Sequence, residues 1–398
     1  MSLMDTPRAN RLHIGIFGKR NSGKSSIVNA ITNQDVALVS DVAGTTTDPV
    51  YKPMEIYGIG PCVFIDTAGF DDVGELGKMR VDKTKLALDK TDIALLIFSD
   101  HDIEEELSWI NILKEKEIPI VPIINKADIL ENPEDIIARI QSTDSELTPI
   151  IVSAKTKDGI FKIREEIIRL LPEDYEFKSI TGDLVQEGDL ILLVMPQDIQ
   201  APKGRLILPQ VQTLRDLLDK KCIVLSATTD KLEEALDSLK NPPKLIITDS
   251  QVFKTVYDKK PAESKLTSFS VLFANYKGDI DYYTKSAKII SELTEDSRVL
   301  IAEACTHAPL PEDIGREKLP RLLRKKVGEK LQVDIVSGNN FPEDLSSYQL
   351  VIQCGACMFN RKYVLSRIER ARVQNVPMTN YGVALAYLNG ILDQIDLK

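Results

Sequence analysis

A chain of 398 residues, 43% of them hydrophobic and 28% charged, is long enough for two or three domains with their own cores and too apolar for a disordered protein. Its net charge of −10 argues against a nucleic-acid surface, with the basic face from Arg316 to Lys330 as a local exception. No stretch approaches the roughly 18 apolar residues of a membrane span, and the polar start before Leu12 lacks a signal-peptide core, so a cytoplasmic protein with reduced thiols is expected.

The apolar run Leu12–Phe17 is expected to be a strand, and it leads into Gly18-Lys19-Arg20-Asn21-Ser22-Gly23-Lys24-Ser25, with a helical pattern from Ser26 to Ile31. This is the G-x-x-x-x-G-K-S phosphate loop in its required context. Glycines let the backbone N–H groups turn inward onto a phosphate, and the helix N-terminus adds partial positive charge. Lys24 is placed to reach the β- and γ-phosphates, and the Ser25 hydroxyl to ligate Mg²⁺. Val63–Asp66 is a second strand, opening the D-x-x-G of Asp66-Thr67-Ala68-Gly69. Asp66 suits the Mg²⁺ shell and the Gly69 N–H suits the γ-phosphate. A third strand, Ile120–Ile124, ends at Asn125-Lys126-Ala127-Asp128. The Asp128 carboxylate can accept from both N1–H and the 2-amino group of guanine, an edge adenine lacks, while Asn125 braces the loops and the Lys126 stem lies along the base. Ser153-Ala154-Lys155 follows Ile150–Val152 and closes over the base. Together these elements describe a GTP-binding domain over residues 8–172, with Gly18, Asn21, Ser22, Gly23, Lys24, Ser25 and Ser26 on the phosphates.

The domain resembles the translation-factor-like GTPases that include MnmE and Era. That resemblance places Gly44-Thr45-Thr46-Thr47-Asp48 in a switch, with Thr46 meeting Mg²⁺ in the GTP state. Phe70 stands where Ras-like proteins carry a water-orienting glutamine, which implies slow intrinsic hydrolysis. Asn21 is what potassium-activated relatives carry, so either K⁺ supplies positive charge there or Asn21 only shapes the turn.

After Leu171-Pro172-Glu173 a polar linker leads to strands at Leu190–Met195, Lys221–Ser226 and Leu245–Thr248, with helical patterns at Val211–Leu218 and Lys231–Leu239. This second α/β segment, 182–262, carries no catalytic constellation, and self-association through its sheet is its expected role. A third segment, 266–398, restarts the pattern with strands at Ser268–Ala274, Arg298–Ala302, Val333–Val336 and Leu350–Ile352, and helices at Ile280–Leu293, Pro311–Val327, Arg361–Arg372 and from Tyr381. The expected fold class is therefore α/β, a P-loop GTPase followed by two further small parallel-sheet domains.

The third segment holds the remaining chemistry. Cys305-Thr306-His307 and Cys354-Gly355-Ala356-Cys357 both follow strands, whose carboxyl ends are where open α/β sheets bind ligands. Three thiols and an imidazole fit a Cys₃His zinc site or a three-thiolate cubane cluster equally well. Cys62 and Cys222, in strand-like runs, read as small core residues.

A GTPase, a spacer and C-x-H…C-x-x-C in this order resemble, over the whole chain, the HydF family of [FeFe]-hydrogenase maturation proteins. The resemblance implies a [4Fe–4S] cluster on Cys305, Cys354 and Cys357, and a scaffold or carrier of the diiron subcluster. Radical-SAM maturases would supply that unit and apo-hydrogenase would receive it, through a homodimer or higher oligomer. Gln353 stands where many relatives have histidine, leaving His307, Glu303, water or another carboxylate for the fourth iron corner. The competing reading is a zinc-stabilised regulatory GTPase acting in RNA modification or ribosome assembly.

Overall fold

Strand β1, Leu12–Gly18, is buried at every position, the pattern of an interior parallel strand covered on both faces. The computed structural model describes residues 10–32, 50–56, 59–67, 84, 86–171, 179–196, 206–304, 313–338 and 340–397. Within these the chain divides into two compact units, Met1–Tyr175 and Glu176–Lys398.

In the first unit β1 lies inside a six-stranded sheet with β2 (Val50–Ile56), β3 (Gly60–Asp66), β4 (Ile93–Phe98), β5 (Ile120–Ile124) and β6 (Ile150–Ile151), in the order β2-β3-β1-β4-β5-β6. Only β2 runs antiparallel, against β3. The chain builds to one side of β1 and then crosses to the other, so the loop leaving β1 lies at the switch in strand order, where such sheets bind ligands. One apolar layer under the sheet packs Ile14, Ile16, Ile27 and Ile31 with Leu95 and Val121; the other packs Phe17, Leu96 and Phe98 with Trp109 and Ile110.

The second unit contains two four-stranded parallel sheets. One is ordered β10-β9-β7-β8, from β7 (Leu190–Val194), β8 (Ile223–Ala227), β9 (Leu245–Thr248) and β10 (Lys265–Ser268); the other is ordered β12-β11-β13-β14, from β11 (Arg298–Ala302), β12 (Gln332–Val336), β13 (Leu350–Gln353) and β14 (Met378–Asn380). Leu192, Val194 and Ile246 of the first sheet share an apolar cluster with Leu300, Ala302 and Val351 of the second, which is why residues on either side of position 262 lie in one compact unit. The chain's end returns to the β10 edge: Asp396 N donates to Leu266 O at 2.8 Å, and Leu266 N donates to Asp396 Oδ2 at 3.2 Å. An otherwise open strand edge is thereby covered.

One expected strand is a helix. Residues Phe269–Lys277 are helical, beginning where Ser268 Oγ accepts from Val271 N at 3.2 Å. The continuous apolar run Phe269–Ala274 has no period that separates a buried strand from a buried helix, so the serine cap decides. Strands β10 and β14, four and three residues long, were too short for periodicity to mark. Cys62 and Cys222 are buried, and burial pushes the Cys62 thiol up to about 12, as for an inert core residue. No helix among the described residues is long and apolar enough to cross a membrane.

Candidate functional site

The phosphate loop curls because three of its residues take positive φ, Gly18 at 150°, Asn21 at 59° and Gly23 at 93°. Gly23 has a second constraint: a Cβ there would stand 2.2 Å from Asn125 Nδ2. The helix Lys24–Thr32 starts directly after it and points its first amides at the loop's concavity. Lys24 Nζ donates to the carbonyls of Gly18 at 2.9 Å and Lys19 at 2.7 Å, which keeps the ammonium over the loop. Asp66, at the end of β3, stands opposite Ile16 in the register. Burial raises its carboxyl, and the charges of Lys24 and Lys52 oppose that rise. Next to it, Thr67 Oγ1 donates to Ile16 O at 2.6 Å and fastens the D-x-x-G start to β1. Ser22 is buried, Ser25 is half-buried, and Asn21 and Ser26 are exposed.

Asn125 joins the phosphate loop to the base loops. It is 2% exposed, donates through Nδ2 to Ser22 O at 2.9 Å, and accepts through Oδ1 from Ala154 N at 3.1 Å. Lys126 takes φ 64°, which turns the chain so that Asp128 faces the Ser153–Lys155 loop. Ser153 Oγ donates to Asp128 Oδ1 at 2.8 Å, and Lys155 Nζ lies 3.8 Å from Asp128 Oδ2. That last pair is solvent-exposed on the lysine side and contributes little by itself. The structure thus brings Lys24, Asp66, Asn125, Lys126, Asp128, Ser153, Ala154 and Lys155 to the carboxyl ends of β1, β3 and β5 and the loop after β6. Thr46 and Gly69 lie outside the described residues, as does Phe70.

In the second unit the thiol loop follows β13, which pairs with β11 so that Gln353 stands opposite Ala302. Cys354 N donates to Ala302 O at 3.0 Å, and Ala304 N donates to Cys354 Sγ at 3.0 Å. The residue just before Cys305 in the sequence is therefore held against Cys354. The left-handed position of the turn is Ala356, at φ 45°, whereas Gly355 needs no such dihedral and has open space around a Cβ. The helix Arg361–Val373 then starts from an Asn360 cap. Cys354 and Cys357 are both half-buried and in no disulfide. Burial, and then the neighbouring Cys354, raise the Cys357 thiol, while the Lys277 ammonium lowers it. The Gln353 side-chain oxygen is buried with no hydrogen-bond partner among the described residues. Two soft donors on one turn beside an orphaned acceptor fit a thiolate-ligated centre. Cys305 and His307 lie outside the described residues, and among those described no group of three or more His, Cys, Asp or Glu is arranged as a metal site. Glu303 is occupied: Arg316 Nη2 and Nε donate to its Oε2 at 2.9 and 3.2 Å.

Sequence reasoning missed Lys277. It ends the helix Phe269–Lys277, is 1% exposed, and donates from Nζ to the carbonyls of Phe359 (2.8 Å), Ala356 (3.2 Å) and Cys357 (3.3 Å). Burial lowers its pKa to about 8, and the two thiols oppose that fall. A lysine continuing the apolar run F-S-V-L-F-A-N-Y-K was the available signal, since a solvated lysine does not need such a helix.

The family model described as a 50S ribosome-binding GTPase matches residues 13–126. The Hydrogen maturase F dimerization domain matches residues 180–278, and the Hydrogen maturase F tetramerization domain matches 281–396. Among curated relatives, the chain is 34% identical over 191 residues to GTPase Der of Wolinella succinogenes, covering 43% of this chain and 40% of Der. It is 32% identical over 168 residues to the tRNA modification GTPase MnmE of Flavobacterium johnsoniae, covering 40% of this chain and 35% of MnmE. The chain thus spans two fifths or less of the length of these relatives. A crystal structure of Era in complex with MgGDPNP and a 16S ribosomal RNA segment is 19% identical, with a TM-score of 0.36, covering 54% of this chain and 91% of that one. The first unit is a GTPase domain, and a GTPase domain followed by these two modules in this order is the HydF architecture: the chain belongs to the HydF hydrogenase maturases.

Proposed function

We propose that the protein is a GTP-hydrolysing scaffold of [FeFe]-hydrogenase maturation that binds a [4Fe–4S] cluster and assembles or delivers the diiron subcluster to apo-hydrogenase. The observation that carries the reading is the thiol loop, which holds Cys354 and Cys357 at the carboxyl end of β13, against the strand that leads to Cys305.

In the first unit Asp128 accepts from the guanine edge, and the phosphate-loop amides with Lys24 bind the phosphates. Ser25 and Thr46 ligate Mg²⁺, Asp66 belongs to its shell, and the Gly69 N–H meets the γ-phosphate. Phe70 cannot orient water, so hydrolysis without help is slow, and K⁺ at Asn21 supplies added charge. Equal turnover in K⁺ and Na⁺ would remove that last role.

In the second unit Cys305, Cys354 and Cys357 are the cluster ligands, with His307 as an exchangeable fourth. Such a cluster supplies an iron at which a second metal unit, the protein's cargo, is attached. The chain's own part is to fix the sulfurs on a short turn and to leave one corner exchangeable, which Gln353 in place of a histidine favours. Radical-SAM maturases are the suppliers of the cargo. Self-association as a homodimer or higher oligomer uses the second unit, where β8 is an exposed sheet edge with Ile223 in solvent.

Anaerobic iron and sulfide analysis of wild type beside Cys305→Ser, Cys354→Ser and Cys357→Ser tests the reading. Equal iron and sulfide in wild type, lost with brown colour in each variant, is expected. A colourless protein that holds zinc and takes up no iron would overturn it in favour of a zinc-stabilised regulatory GTPase.

A further inference from the structure

Lys277 is an ammonium in the interior, and among the described residues every hydrogen-bond partner it has is a neutral carbonyl. Its Nζ donates to the carbonyls of Ala356, Cys357 and Phe359, three residues of the turn that carries both thiols, and lies 5.5 Å from the centroid of the Phe273 ring. Among the described residues no carboxylate lies within ion-pair distance of it. A second buried cation stands in the helix Arg361–Val373. Arg367 is 2% exposed and is flanked by the rings of Phe341 at 4.7 Å and Tyr363 at 4.6 Å. Its Nη2 donates to Gly338 O and Tyr363 Oη, both at 2.7 Å, while Nε and Nη1 have no hydrogen-bond partner among the described residues.

Burying an ammonium without a countercharge costs several kcal/mol, and carbonyl hydrogen bonds offset that cost without supplying an opposite charge. An anion beside such a group offsets that cost. The turn that Nζ grips carries two thiols, Cys354 and Cys357, and a thiol becomes an anionic sulfur when it ligates a metal centre. We propose that Lys277 is the built-in countercharge of an anionic, thiolate-ligated centre on Cys354 and Cys357, holding the turn that presents both sulfurs and raising the centre's reduction potential. This rests on the cluster reading given above. Lys277 is a positioning residue: its bonds go to backbone oxygens of the ligand turn, and its charge acts on the centre through space. Reduction adds negative charge to the centre, and a fixed positive charge at this range favours the reduced form.

Anaerobic reconstitution of wild type, Lys277→Met and Lys277→Arg with iron and sulfide, followed by a redox titration of each, tests the proposal. Lys277→Met is expected to lower the midpoint potential by about 59 mV, the one-electron equivalent of a tenfold smaller ratio of reduced to oxidised centre. Lys277→Arg is expected to stay near wild type. Should Lys277→Met fail to load iron, loading restored by Lys277→Arg supports the countercharge. Failure of both variants to load while their circular dichroism stays native shows that shape matters and charge does not, and overturns it. An unchanged midpoint in a fully loaded Lys277→Met also overturns it, with the cluster reading intact. Absence of iron from wild type removes the cluster reading, and this proposal with it.

Discussion

Asn125 Nδ2 donates to Ser22 O at 2.9 Å while its Oδ1 accepts from Ala154 N at 3.1 Å, so one buried amide ties the phosphate loop to the base loop. The contact is close enough to demand glycine at 23, whose Cβ would overlap the donor nitrogen. Asn125→Ala leaves a carbonyl and an N–H without partners, at roughly 1–3 kcal/mol each. Guanine-nucleotide affinity is expected to fall at least about tenfold, each factor of ten being about 1.4 kcal/mol. Calorimetry with GDP checks this, and a change below about twofold would mean that the bridge does not organise the site.

Asp128 keeps one oxygen on Ser153 Oγ at 2.8 Å, which fixes the carboxylate plane. Asp128→Asn preserves that bond but presents an N–H where guanine's 2-amino group also donates. A clash of donors together with a lost charge-assisted bond is worth on the order of 3 kcal/mol. Xanthine, which carries an oxygen at that position, suits the new amide. The variant is expected to bind GDP about a hundredfold more weakly and to prefer XDP. Retained preference for GDP in competition binding would show that Asp128 does not read the base edge.

The first unit was legible because its motifs are local: each sits within a few residues of the end of a buried strand, and backbone geometry forces those residue types. Gly23 is an example, readable from the spacing and explained by Asn125. Long-range features were not legible. That β10 and β14 complete the two later sheets depends on pairings between short segments far apart in sequence, and no periodicity records them. The helix Phe269–Lys277 was masked by its own burial, because an element apolar all round has no stripe. Lys277 followed that error out of view. In the turn at Cys354–Cys357 the left-handed residue is Ala356 although Gly355 stands beside it, a choice that no residue type in the sequence signals.

Glu106 lies behind the phosphate loop with 1% exposure, and its Oε2 is 3.8 Å from Lys19 Nζ with no hydrogen-bond partner among the described residues. Burial pushes its carboxyl up to about 7, against the pull of nearby backbone N–H groups and the Lys19 charge. Between its unfolded value of 4.5 and that folded value, the folded chain holds a proton that the unfolded chain releases. The associated stability is fully present below the unfolded value, declines as pH rises through this window and is gone above it. Glu106→Gln is expected to flatten the decline. The chain's single tryptophan, Trp109, is in the same helix and stacks on Phe17 at 5.6 Å, so its fluorescence follows unfolding of the first unit. Denaturation midpoints of wild type that do not move between pH 5 and pH 8, the ends of a range bracketing that window, would contradict the buried-acid assignment.

Asp216 gathers the start of the second unit. Its Oδ1 accepts from Ile180 N at 3.0 Å, and its Oδ2 accepts from Thr181 N at 3.0 Å, Thr181 Oγ1 at 2.6 Å and Ser179 Oγ at 3.0 Å. One carboxylate on the helix Leu208–Asp219 therefore fixes three consecutive residues that would otherwise trail from the sheet. Hydrogen bonds to a charged acceptor are worth roughly 1.5–3 kcal/mol each, but those sharing one carboxylate do not add. Asp216→Ala is expected to destabilise the second unit by on the order of 3 kcal/mol. Deuterium exchange should quicken most at the amides of Ile180 and Thr181, while the first unit keeps its nucleotide affinity because the residues Asp216 anchors, Ser179, Ile180 and Thr181, belong to the second unit. Asp216→Asn retains both acceptor positions on one oxygen only, so an intermediate loss is expected. Amides at 180 and 181 that stay as protected in Asp216→Ala as in wild type would show that the linker is held by its apolar residue Ile180 alone, which is itself buried against Leu184 and Leu217.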